Sequence, residues 1–182
     1  MSGPRVRFEW PPPRCMVVAE LSANHGGSLE VALEAVRAAA RAGADAIKIQ
    51  TYRPDTLTID APQEHFVVRG GPWDGRTLYD LYQEAHTPWE WHAPIFEAAH
   101  EAGIPAFSTP FDASAVDFLE SLEVPAYKIA SFELVDLELL RRVASTKKPI
   151  VMSTGMATLE EIARSVAAIR EVWGGADPGL AL

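Results

Sequence analysis

The chain has 182 residues, 48% of them hydrophobic and 23% charged, with a net charge of −9 from 16 basic and 25 acidic residues. That length suits one domain with a proper core. The acidic balance argues against a nucleic-acid surface and against bulk attraction of anionic substrates, so any bound anion must be held locally by placed lysines and backbone amides. The single cysteine, Cys15, excludes an internal disulfide and a cysteine-rich zinc site, and is expected to pack as a small apolar residue. No charged-then-apolar leader opens the chain and no apolar run reaches membrane-spanning length, so the expectation is a soluble cytoplasmic protein with no membrane partner.

Residues 1–15, with Pro11-Pro12-Pro13, read as an irregular lead-in, and residues 16–182 as one domain. The first strand-like run is Met16-Val17-Val18-Ala19, which ends on Glu20. Ser28 then caps a helix carrying Leu29, Leu33, Val36 and Ala40 at helical spacing, and Gly43 stops it. Ala46-Ile47-Lys48-Ile49-Gln50 is the second run. A long excursion from Thr51 to about Thr87 follows, and its aromatics (Phe66, Trp73, Tyr79, Tyr82) predict an ordered cover over a substrate. Thr87-Pro88-Trp89-Glu90 has the form of a capping box with proline at the first helical position. It predicts a helix to Ala102, kinked or broken in its first turn by Pro94 and ended by Gly103.

Pro105-Ala106-Phe107 then runs into Ser108-Thr109, and Asp112 can cap a helix through Leu122. Val124-Pro125-Ala126-Tyr127-Lys128-Ile129-Ala130 leads to Ser131 and Glu133, and Asp136 can cap a helix through Ala144. Pro149-Ile150-Val151-Met152 runs into Ser153-Thr154-Gly155. Thr158 with Glu161 forms a second capping box ahead of Ile162, Val166, Ile169 and Trp173, ended by Gly174-Gly175. Gly179-Leu180-Ala181-Leu182 opens a sixth run. Strand alternating with helix implies a parallel sheet with crossover helices, whose strand ends all open on the face that holds the ligand. A closed eight-stranded barrel needs about 250 residues, so the chain is expected to be a piece of a longer protein rather than an open sheet.

Five apolar runs in succession end in groups that can grip a charged substrate. Side chains alternate along a strand, so Lys48 and Gln50 share a side. A strand lysine can also serve only to blunt a sheet edge, but two in equivalent places favour a site. Lys48 and Lys128 with Thr109, Ser131 and Ser153 suit a small phosphorylated carboxylate, the lysines as point charges and the hydroxyls as donors. The helix after Thr154-Gly155 adds an anion-friendly N-terminus. Glu20 and Glu133 are the titratable partners. His86, His92 and His100 lack ligand-pair spacing and His65 lies in the excursion; these four are expected at the surface, and only His25 stands near a strand end. No metal site can be built from these residues.

The segments Ala19-Glu20-Leu21-Ser22-Ala23-Asn24-His25-Gly26-Gly27, Ile47-Lys48-Ile49-Gln50-Thr51, Ser108-Thr109-Pro110-Phe111, Tyr127-Lys128-Ile129-Ala130-Ser131-Phe132-Glu133 and Ser153-Thr154-Gly155-Met156 stand in order. Together they resemble the sialic acid synthase family, barrel enzymes that condense phosphoenolpyruvate with an amino sugar, over about Met16 to Leu182. Trp73-Asp74-Gly75-Arg76-Thr77-Leu78-Tyr79 and Thr87-Pro88-Trp89-Glu90-Trp91-His92 look most like its pseudaminic acid branch. The resemblance implies a (β/α)8 TIM-barrel type fold, here truncated to about the first five to six strands. It implies that Lys48, Thr109, Lys128, Ser131 and Ser153 hold phosphoenolpyruvate, and that Gln50 touches the sugar. Glu20 would assist metal-linked positioning or water activation, and Glu133 would lie beside the carbon undergoing addition. It further implies a divalent metal, Mn or Mg, whose ligands lie on later strands, a C-terminal antifreeze-like domain, and a homodimer at full length; these 182 residues alone are expected to have little or no activity. The implied sugar is 2,4-diacetamido-2,4,6-trideoxy-L-altrose. Alternatives are an N-acetylneuraminate or legionaminate synthase, a non-catalytic half-barrel, and a Schiff-base aldolase using Lys128.

Overall fold

The computed structural model describes residue 6 and residues 8–182; the rest of the lead-in, residues 1–5 and 7, lies outside the described residues. Each apolar run forms a strand, and six strands pair in chain order, all parallel: β1 (Val18–Glu20), β2 (Ala46–Thr51), β3 (Ala106–Pro110), β4 (Tyr127–Ile129), β5 (Ile150–Met152) and β6 (Leu180–Ala181). The crossovers carry α1 (Leu29–Arg41), α4 (Trp89–Glu101), α5 (Ala113–Ser121), α6 (Leu137–Ser145) and α7 (Leu159–Trp173). The parallel sheet with crossover helices is what strand–helix alternation predicts, and its six strands are the truncated (β/α)8 barrel that the resemblance implies. No described helix is long and apolar enough to cross a membrane.

Alternation along each strand sends one set of side chains outward under the helices and the other inward. Outward, Ile47 and Ile49 pack with Val36, Ile95 and Ala99, while Tyr127, Ile129, Ile150 and Met152 pack with Leu139, Leu140, Val143, Ile169 and Trp173. Each of these fully buried aliphatic side chains contributes about 1.5–3 kcal/mol. Inward, Ala46, Phe107 and Ala126 lie under Phe8 and Met16, so the lead-in covers the N-terminal end of the half-barrel. Cys15 is exposed rather than packed, because the chain at that point runs over the surface beside the Arg14–Asp45 pair.

Most caps form as the residue types dictate. Ser28 accepts from the Val31 N–H, Asp112 from Ser114 and Ala115, and Asp136 from Glu138 and Leu139. Thr158 and Glu161 complete a reciprocal box. Thr87-Pro88-Trp89-Glu90 does not: Pro88 is the N-cap without a side-chain bond, and the Thr87 hydroxyl is buried with no partner. Packing overrides capping here, since Trp89 donates its indole N–H to the Tyr52 carbonyl at 3.2 Å and stacks on Phe118 at 4.5 Å. Nor does Pro94 break the helix; α4 runs through it, although its missing N–H forfeits the bond to the Glu90 carbonyl. The excursion is ordered as expected, but it holds two helices that the sequence reading did not assign, α2 (Pro54–Leu57) and α3 (Leu78–Ala85), with an antiparallel bridge between Val67 and Thr77.

The Trp10 ring lies over Gly179, just before β6, where a Cβ would collide with its Nε1 and Cδ1. Gly179 also has φ +116°, a backbone state that L side chains rarely adopt. Gly179→Ala should therefore destabilise the chain by roughly 1–3 kcal/mol from the backbone alone. Adding Trp10→Ala should recover the steric part and leave that residue of destabilisation. A thermal melt of Gly179→Ala matching the wild type would refute the contact.

Candidate active site

Register determines which polar side chains meet. Glu20 stands opposite Lys48, Gln50 opposite Thr109, and Lys128 opposite Val151. Because opposed residues in a parallel ladder share a face, Glu20, Lys48, Gln50, Thr109 and Lys128 all project inward, Glu20, Gln50 and Thr109 near the carboxyl ends of their strands and the two lysines from mid-strand. Glu20 and Lys48 form an ion pair. Lys128 donates from Nζ to the Ser153 hydroxyl and to the Ile129 carbonyl, both at 2.6 Å. Ser22 donates its hydroxyl to Gln50 Oε1 at 3.2 Å, which ties the loop after β1 to the end of β2. The loops after β4 and β5 touch: a Cβ at Gly155 would sit 3.0 Å from Ser131 Oγ. Every residue singled out from sequence thus lies on one connected face, although neither Thr109 nor Ser131 bonds directly to a lysine here.

The electrostatics follow from this crowding. Lys128 is pushed down to about 8, first by burial and then by the neighbouring Lys48 ammonium, against the pull of Glu20 and Glu133. Glu133 begins a short 3-10 turn (Glu133–Val135). Burial raises its pKa, and its Oε2 is buried without a hydrogen-bond partner. One carboxylate is therefore committed to a lysine, and the other is held ready beside a second lysine. The arrangement can bind a compact, multiply charged anion between two ammonium groups and two hydroxyls, with an uncommitted carboxyl group adjacent.

Of the four histidines expected at the surface, His65 is exposed, His86 and His100 are half-buried, and His92 departs furthest. His92 is fully buried rather than at the surface, with Nε2 at 2.8 Å from the Thr51 hydroxyl and Nδ1 at 3.2 Å from the Pro88 carbonyl. Burial holds its pKa down to about 4. A histidine four residues into an amphipathic helix, opposite strand Thr and Ser, was the available signal. His25 is buried too; its Nδ1 accepts from the Gly27 N–H at 3.1 Å and its ring meets Trp91 edge-on. These contacts tie the β1 loop to α4 and leave its Nε2 buried without a hydrogen-bond partner. Among the described residues no three His, Cys, Asp or Glu side chains come together as a metal cage.

Lys128 yields a linkage prediction. In the folded chain it loses its proton near pH 8, against an ordinary value of 10.5. Between those values the unfolded state holds the extra proton, so the stability due to this residue rises with pH through that window and is lowest below it. The stability gap between Lys128→Met and wild type should move in the wild type's favour from pH 8 to 10.5 in chemical denaturation. A gap independent of pH would contradict the shift.

Residues 35–176, more than half of the chain, match the NeuB family. The chain is 54% identical over 149 residues to the pseudaminic acid synthase of Campylobacter jejuni, covering 82% of this chain and 43% of that protein. It is 47% identical over 161 residues to the pseudaminic acid synthase of Helicobacter pylori, covering 88% and 47% respectively. The chain thus spans less than half the length of either synthase. The fold is similar to that of an N-acetylneuraminic acid (sialic acid) synthetase from Leptospira borgpetersenii solved in complex with citrate. That likeness has a TM-score of 0.77 at 26% identity, over 91% of this chain and 52% of that one. On the extent of these matches and the half-barrel they share, the chain belongs to the NeuB family.

Proposed function

We propose that this chain is the phosphoenolpyruvate-binding half of a pseudaminic acid synthase, which joins phosphoenolpyruvate to 2,4-diacetamido-2,4,6-trideoxy-L-altrose and releases phosphate. The observation that carries the reading is the pair of inward ammonium groups, Lys48 and Lys128, with Ser153 bonded to the second. The identities of 54% and 47% to proteins bearing that name support the choice of branch. Lys48, Lys128, Thr109, Ser131 and Ser153 bind the phosphate and carboxylate oxygens, and Gln50, steadied by Ser22, meets the sugar. The enol C3 attacks the sugar aldehyde carbon to form the C–C bond. Water adds at C2, and the tetrahedral intermediate breaks its C–O bond to phosphate.

The two ammonium groups offset charge on the donor throughout, which for a single such donor in a preorganised site is worth about 100-fold or more in rate. Glu133, raised by burial and lacking a partner, is placed to hold or release a proton beside the reacting carbon. The resemblance implies a divalent cation, Mn or Mg, polarising the aldehyde. The described residues form no cage for it, and Glu20 is engaged by Lys48. The remaining barrel strands, an antifreeze-like domain, the metal ligands and a dimer partner are proposed to come from sequence beyond this half.

A second reading rests on the lowered Lys128 pKa, which also suits a Schiff-base lysine. Two assays on the complete protein that carries this chain separate them. Phosphate release from phosphoenolpyruvate should require the diacetamido sugar, keep the bridging oxygen with phosphate, and fall roughly 100-fold in Lys128→Met. Borohydride trapping of substrate on Lys128 would overturn it in favour of the aldolase. Separately, Gly155→Ala places a methyl against Ser131 and should raise KM for phosphoenolpyruvate about tenfold, one misdirected hydrogen bond's worth, with little change in melting temperature. An unaltered KM would remove Ser131 from the binding set.

A further inference from the structure

Three fully buried polar side chains lie on the outward side of the strands whose inward residues form the site: Thr51 on β2, Ser108 on β3 and His92 on α4. The Thr51 hydroxyl is 2.6 Å from that of Ser108 and 2.8 Å from His92 Nε2. Each strand member adjoins a site residue in the chain, Gln50 before Thr51 and Thr109 after Ser108, and Gln50 and Thr109 are themselves opposed in register. Opposite Thr51 stands Pro110, which has no N–H to give. That missing donor lies on the side of β3 that faces β4, because main-chain bonding alternates along the strand and Ile47 N–H bonds to the Pro105 carbonyl across β2–β3. The hydroxyl contact adds a side-chain tie to the β2–β3 ladder at the end where the substrate would sit.

We propose that His92 is a positioning residue, which holds Gln50 and Thr109 at their substrate-binding places through Thr51 and Ser108. The inference rests on the reading of this face as the substrate site. Its direction follows from counting protons. His92 Nδ1 faces the Pro88 carbonyl at 3.2 Å and so bears the ring proton. Nε2 is then an acceptor, Thr51 donates to it, and Ser108 donates to Thr51 in preference to the Ile49 carbonyl at 3.1 Å. Burial keeps the ring neutral at ordinary pH, which leaves one ring nitrogen free to accept. The single chain Ser108 to Thr51 to His92 to Pro88 thus couples β3, β2 and the start of α4. No water competes for it, since all three side chains are inaccessible.

The test uses the complete protein that carries this chain, with Thr51→Val (same shape, no hydroxyl), Thr51→Ser (hydroxyl kept) and His92→Phe. Amide hydrogen exchange at Gln50–Tyr52, Thr109 and Phe111 should quicken about tenfold in Thr51→Val and His92→Phe, the equivalent of one lost hydrogen bond, while α1 and α7 stay unchanged. KM for the sugar should rise about tenfold with kcat changing less. Thr51→Ser should restore both readouts, and the double variant should be no worse than either single one, because both break the same chain. Unchanged exchange at the strand ends would overturn the proposal. So would a general rise in exchange with KM unaltered, which is the signature of a merely structural role. Where His92→Phe fails to fold, Ser108→Ala provides the same comparison. A wild-type protein that does not consume phosphoenolpyruvate would defeat the synthase reading, and local exchange alone would then decide the role of His92.

Discussion

Repulsion between two lysines of one sheet face is the constraint around which the site is arranged. Parallel pairing leaves Lys48 and Lys128 no choice of side, because the outward positions beside them, Ile47, Ile49, Tyr127 and Ile129, are committed to the core. The neighbouring ammonium and partial burial both disfavour the charged form of Lys128. Glu20 engages the first lysine, and Ser153 and a main-chain carbonyl the second. None of these contacts supplies a second full negative charge to Lys128; Glu133 pulls on it without bonding. A compact anion between the lysines would remove the repulsion and replace lost solvation together. In a chain of net charge −9, such short-range forces outweigh any long-range attraction.

The same alternation explains why the chemistry is held firmly by a sheet of short strands. Strand β4 has three residues, and its central one is Lys128, flanked by Tyr127 and Ile129, neither of which is accessible. To displace the lysine, the core must open. Tyr127 is tied further by its hydroxyl, which donates to Glu120 at 2.6 Å beside Lys148. Core burial and site geometry are therefore one specification read on two faces of the strand. An inward substitution can alter binding at small cost in stability, while an outward one alters both.

Residue chemistry that acts locally was legible in the sequence. Ser28, Asp112, Asp136 and Thr158 cap because a short side-chain acceptor beside free N–H groups suffices, and the polar strand ends declared themselves by following apolar runs. What escaped depends on contacts distant in sequence. Thr87 has the composition of a cap, but Trp89 is drawn to Tyr52 and Phe118, 37 and 29 positions away, and the helix starts on Pro88 instead. His92 has the composition of a surface histidine until Thr51, 41 residues earlier, is placed against it. In the excursion, the Thr77 cap and the Leu78, Leu81, Tyr82 and Ala85 pattern of α3 were present but short, and its Pro, Gly and Asp content masked them.

Backbone strain is also distributed by function. Among the described residues, four other than glycine have positive φ: Ser22, Glu123, Lys147 and Met156. Glu123 and Lys147 follow the C-caps of α5 and α6, where a left-handed residue is the usual way to satisfy a helix's last carbonyls. Ser22 and Met156 end no helix. They lie in the loops after β1 and β5, at φ 47° and 62°, beside Gln50 and Gly155. A left-handed L residue costs about 1–2 kcal/mol. At Ser22 the hydroxyl bond to Gln50 Oε1 offsets part of that, and it fixes the Gln50 amide on the inward face. The left-handed residues that terminate nothing thus fall at the carboxyl ends of the strands, as expected where geometry at a ligand, rather than continuation of the chain, decides the conformation.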